Sequence, residues 1–169
     1  MGKDFLIDKI KYVFMGVVIL AFWACFADKL RLFGVAPNIV LCYVMCVSFR
    51  NHDSFGFYNA LVLGLAADAL CGRIFGEYTF FFVLFDLLIA KVFYKLFAEN
   101  FWFEFFSGVI MSFIFSITFA LIVWLFDGNF IYLTLKIALV EALYNSFIFL
   151  LFLYASKKRK KKRRITFRI

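Results

Sequence analysis

The sequence predicts an all-α integral membrane protein, a compact bundle of about six membrane-crossing helices with its N- and C-termini on the cytoplasmic side. Three observations lead there. Of 169 residues, 66% are hydrophobic and the mean hydropathy is +0.94, where soluble domains run near about 45–50% apolar. Long apolar stretches recur along the chain with only short polar breaks between them. Lys and Arg are unevenly divided between alternate breaks. A chain of this size has no water-soluble core able to enclose that much apolar surface.

Six segments follow from the hydropathy pattern. The first runs from about Tyr12 to Ala27 and the second from about Phe33 to Phe49. The third covers about Phe55 to Leu70, the fourth about Thr79 to Phe97. The fifth spans about Phe105 to Phe126 and the sixth about Phe130 to Tyr154. Segments two and three are short for a bilayer, which points to tilt or to partial residence in the interface. Asp127-Gly128-Asn129 supplies turn chemistry between the last two segments. Residues 1–156 thus form one membrane domain, and 157–169 a basic tail on the cytoplasmic side. The first segment lacks a persuasive cleavage site and reads as retained.

Orientation follows from the basic residues. The run Lys157 to Arg168 abuts the last segment; with an even number of spans, Lys3, Lys9 and Lys11 share its side, as do Arg50, Lys91 and Lys95. Fifteen of the nineteen Lys and Arg then face the cytoplasm. A basic run next to a membrane span is explained by topology and by attraction to anionic lipid, at about 1 kcal/mol per residue near the surface. Nucleic acid is therefore not an expected partner; membrane lipids are.

Several chemistries are excluded by what the chain lacks. There is no Gly-rich phosphate loop and no serine–histidine arrangement. The four cysteines lie in or beside apolar segments, and the single histidine, His52, sits in a loop. Neither a zinc pattern nor a disulfide framework results, so no metal, cofactor or catalytic residue is expected. The 28 phenylalanines read as lipid-facing and interhelical bulk.

Polar residues inside apolar segments carry the remaining information. Asp68 stands near the outer end of the third segment, where a carboxylate costs up to roughly 2.5–3.5 kcal/mol on insertion scales. Gly56, Ala60, Gly64 and Asp68 recur every four residues and give that helix one face of small side chains, the pattern of a close helix–helix contact. Two readings of Asp68 stay open: a latch or partner contact near the outer surface, and a structural group that caps a neighbouring helix or pairs with Arg73. Asp86 and Glu141 lie deeper, in segments four and six, and Tyr144 and Asn145 extend Glu141 into a polar stripe. They line a cavity or proton path, or they pair with Lys91, Lys136 or backbone groups and fix helix register.

The pattern G-L-x-x-D-x-x-x-G-x-x-x-G, formed by Gly64, Leu65, Asp68, Gly72 and Gly76 and preceded by Pro37-Asn38 and Gly56, resembles the rod-shape-determining MreD family of bacterial cell-wall elongation. The resemblance implies a non-enzymatic inner-membrane protein working with the periplasmic protein MreC, the actin-like MreB, the glycosyltransferase RodA and its penicillin-binding transpeptidase partner. It also implies a fold similar to the substrate-binding subunits of energy-coupling-factor transporters. The competing expectation is therefore a vitamin-type transporter subunit using Asp86, Glu141, Asn145 and aromatic side chains around a ligand.

Overall fold

The computed structural model describes residues 3–31, 34–50, 54–71, 75–89, 100–128 and 131–166. Side chains are described within these ranges except at 3–8, 54, 101, 123, 126–127, 131–135 and 157–166. Every regular element among them is helical. In chain order they are α1 (Lys3–Phe26), a 3₁₀ turn (Ala27–Leu30), α2 (Ile39–Ser48), α3 (Ser54–Cys71), α4 (Glu77–Leu88), α5 (Phe101–Asp127) and α6 (Ile131–Thr166).

Three stretches are long and apolar enough to cross a membrane: Lys9–Leu30, Trp102–Ile122 and Lys136–Ser156. Two shorter apolar helices, Ile39–Ser48 and Phe55–Cys71, accompany them. The first of these is the centre of the fold. α2 packs against α1, α3, α4, α5 and α6, and from Val40 to Ser48 each of its residues is buried. A helix that is apolar on all sides belongs inside, and ten residues span only about 15 Å. Its shortness therefore reflects enclosure by the other helices, where the sequence suggested tilt or an interfacial position.

The second predicted segment began at Phe33, but α2 starts at Ile39. Pro37 has no amide hydrogen to offer a helix and biases Ala36 toward extended backbone, and Gly34 turns the chain at φ +83°. The approach to α2 is consequently non-helical, and Val35, Pro37 and Asn38 are buried within it. Irregular backbone is tolerated in a buried position only when other groups satisfy its polar atoms. Asn38 does so as N-cap: its side-chain oxygen accepts from the Leu41 amide at 3.0 Å. Asn38→Ala is expected to lower stability by about 1 kcal/mol; detergent-titrated unfolding of the purified protein measures this.

α5 and α6 pack extensively against each other. Gly108 makes this possible, since a Cβ there would collide with the Phe149 ring. Without a hydrophobic force between helices in lipid, such small residues set how closely backbones approach. α6 does not end at Tyr154; its backbone stays helical through the basic run to Thr166. The fourth predicted segment is described as helix from Glu77 to Leu88, while Lys91, Lys95 and the rest of 90–99 lie outside the described residues.

Phenylalanine divides between the core and the exposed surface. Phe82, Phe85, Phe115 and Phe149 are fully buried, whereas Phe14, Phe75, Phe80 and Phe147 are more than half exposed on the outer faces. α1 shows the division most clearly, with Leu20 and Trp23 turned inward and Ile10, Phe14, Val17, Val18 and Phe22 outward.

Candidate functional site

Two polar junctions gather most of the singled-out residues at the end of the bundle where α2 and α4 begin. The first joins α3 to α4. Gly76 precedes α4 in a left-handed conformation, φ +100°, and has no side chain to cap with. The orphan amides of the first turn are instead satisfied from the neighbouring helix. Asp68 Oδ1 accepts from the Tyr78 amide at 2.8 Å, and Oδ2 accepts from the Thr79 amide at 3.1 Å and the Thr79 hydroxyl at 2.5 Å.

Capping, one of the two readings of Asp68, is thus the arrangement found. Hydrogen bonds to a charged acceptor contribute about 1.5–3 kcal/mol each, and the positive end of the α4 dipole favours a carboxylate further. Three such bonds exceed the roughly 2.5–3.5 kcal/mol insertion penalty of an aspartate. Asp68 is 4% exposed, and both of its carboxylate oxygens are engaged. Arg73, its other suggested partner, and Gly72 lie outside the described residues.

Gly64 permits the approach. A Cβ on it would stand 2.5 Å from Thr79 Cα and 3.0 Å from Thr79 N. The small-residue stripe of Gly56, Ala60, Gly64 and Asp68 is buried, and where α4 begins it packs internally, on Thr79. Leu65, between stripe positions, is 42% exposed and points away from that contact.

The second junction ties α1, α2 and α6 together. Trp23 Nε1 donates to the Pro37 carbonyl at 2.7 Å. The Asn38 amide donates to Asn145 Oδ1 at 2.6 Å, and Cys42 Sγ donates to the Asn145 carbonyl at 3.2 Å. One residue of α6 thereby holds the first two turns of α2. Tyr144, its neighbour, donates to the Leu30 carbonyl of the 3₁₀ turn at 3.3 Å. The polar stripe of α6 is therefore divided, Tyr144 serving one element and Asn145 another. The Trp23 and Tyr78 rings meet edge-on at 6.2 Å between centroids and join the two junctions.

Glu141 stands one turn before Asn145. Its polar neighbours are Ser116 of α5 and Asn145, whereas Lys136 is exposed and Lys91 is outside the described residues. Asp86 is buried on the α4 face that carries Phe82 and Phe85. It lies seven residues, about 10 Å along the helix, beyond Thr79. Asp86 and Gly56 are accordingly not part of either junction.

Five participants had no sequence signal assigned to them: Trp23, Cys42, Tyr78, Thr79 and Ser116. Thr79 was detectable in principle, because a helix that opens on glycine needs a cap from elsewhere and Thr79 is its third residue. Among the described residues, no group of three or more His, Cys, Asp or Glu side chains converges to hold a metal ion. No known family model, curated protein or solved structure matches this chain.

Proposed function

We propose that this chain is a multi-pass, non-enzymatic protein of the bacterial inner membrane, an MreD-like scaffold or regulator of cell-wall elongation. The observation that carries the reading is what the motif residues do. Gly64, Asp68 and Gly76 build the α3–α4 junction, and Pro37 and Asn38 build the start of α2. This polar chemistry is spent on holding helices together, which suits a protein whose work is done by its outer faces. Those faces, such as Phe14, Val18 and Phe22 on α1, meet lipid or the membrane segments of partners. On this reading the partners are an MreC-like protein, a RodA-type glycosyltransferase with its transpeptidase, and, through them, an MreB-like filament. The lopsided distribution of Lys and Arg supports cytoplasmic termini.

The deciding experiment is mild crosslinking in the native membrane, purification through a tag, and mass spectrometry of what is retained. Recovery of an MreC-like protein or of the RodA-type enzyme and its transpeptidase is the expected result. Recovery of a transporter ATPase with its membrane coupling subunit would replace this reading with the small-molecule transport one.

A further inference from the structure

The strongest unassigned feature is the end of the bundle where α2 stops and the basic run of α6 begins. Contacts between helices fix its levels. The Asn38 amide meets Asn145, and Cys46 Sγ donates to Ser156 Oγ at 3.6 Å, so α2 and α6 run parallel. Arg50, one turn past Cys46, therefore stands level with the first turn of the run that starts at Lys157. α5 runs the opposite way: Gly108 faces the Phe149 ring, which brings Trp102 to the level of Tyr154.

Trp102 and Tyr154 are both more than half exposed, and the long apolar stretches of α5 and α6 reach this end at Trp102 and Ser156. Exposed Trp and Tyr at the ends of apolar spans mark the boundary between hydrocarbon and headgroups. Arg50 and the basic run come directly after that boundary, at the depth of lipid phosphates. α6 stays helical through Thr166, so the run leaves the boundary along the helix axis. By sequence, the segments assigned to this end carry fifteen Lys and Arg against five Asp and Glu, and such a field attracts anions.

Arg50 gives the field a specific point. Its side chain is partly exposed, and its Nε and Nη2 have no hydrogen-bond partner. These two groups form one edge of the guanidinium, the fork that donates to two oxygens of a carboxylate or phosphate. Glu104 of α5 lies deeper, one turn before Gly108, and its Oε2 is without a hydrogen-bond partner as well. A guanidinium edge left open among so many cations calls for an anion from outside the chain. At headgroup depth the abundant anion is the phosphate of an acidic phospholipid.

We propose that Arg50 and the basic run of α6 bind the headgroup phosphate of an anionic phospholipid, Arg50 as the fork that holds it and the run as the field that gathers it. The proposal rests on the multi-pass membrane reading and is independent of the MreD-like one.

The test places the full chain in nanodiscs of phosphatidylcholine and phosphatidylglycerol in equal amounts, exchanges it into mild detergent, and counts retained lipids by native mass spectrometry. A severalfold excess of phosphatidylglycerol on the wild type is expected. Arg50→Gln should reduce that excess severalfold, and so should glutamine at Lys157, Lys158, Lys160 and Lys161 together, a change outside the folded core. Lys136→Gln, at the opposite end, should match wild type. Should Arg50→Gln fail to fold, Arg50→Lys keeps the charge without the fork and is expected to lose most of the excess. The proposal is overturned if wild type shows no excess, or if the Arg50 variants retain as much as wild type, the outcome when Arg50 swings to Glu104 instead. It is also overturned if inorganic phosphate in phosphatidylcholine discs raises Tm as much as phosphatidylglycerol does, which would assign the fork to a soluble anion. Failure of the chain to enter the discs at all would remove the membrane reading and this proposal with it, whereas entry without lipid enrichment removes the proposal alone.

Discussion

Asp68→Leu is expected to destabilise the protein by about 3–5 kcal/mol, the largest effect of any single polar substitution in the bundle. The substitution removes three hydrogen bonds and strands the Tyr78 and Thr79 amides, and a buried donor left unpaired costs about 1–3 kcal/mol. Asp68→Asn is the informative comparison. Its amide keeps one acceptor for the Tyr78 N–H but turns a donor toward the Thr79 N–H, while the Thr79 hydroxyl is free to reverse and donate nothing. A loss of about 1–2 kcal/mol follows, between wild type and leucine. The measurement is unfolding in detergent micelles titrated with SDS. Equal losses for Asn and Leu would mean that the charge, not the cap, is what the position requires.

Gly64→Ala is expected to cost about 1–3 kcal/mol, and Gly64→Leu to prevent the α3–α4 contact from forming. The new Cβ would meet backbone, not the end of a flexible side chain, so relief requires the two helices to move apart. That movement would also lengthen the Asp68 bonds, and Gly64→Ala combined with Asp68→Asn should be less than additive. Leu65→Ala on the exposed neighbouring position serves as control and should fall within about 0.5 kcal/mol of wild type. Normal folding and partner recovery by Gly64→Leu would contradict the packing role.

Local features of this chain were readable because their causes are local. Asp68 in a run of small residues every fourth position marks a helix contact, and Pro37-Asn38 marks a helix start whatever else surrounds it. The resulting expectation put the start of the second segment at Phe33 because hydropathy does not distinguish buried extended backbone from helix; Pro37 decided the matter at Ile39. Asn145 was singled out, but its role was not readable. Its partner, Asn38, is 107 residues away, and no spacing rule connects them. The same holds for Ser116 beside Glu141. The central position of α2 was hidden for a related reason: an apolar ten-residue stretch looks the same whether lipid or protein encloses it.

The trans-acting cap has a consequence for how the protein is made. Asp68 leaves the ribosome ten residues ahead of the amide it will hold, and α4 opens on a glycine that offers its first turn nothing. Neither helix is a good guest of the bilayer by itself, one carrying an unshielded charge and the other bare amides. Both liabilities cancel when residues 68 and 79 meet. On the proposed multi-pass reading, the two helices are therefore suited to enter the membrane as a preassembled hairpin, with the moment of commitment set by the synthesis of Thr79.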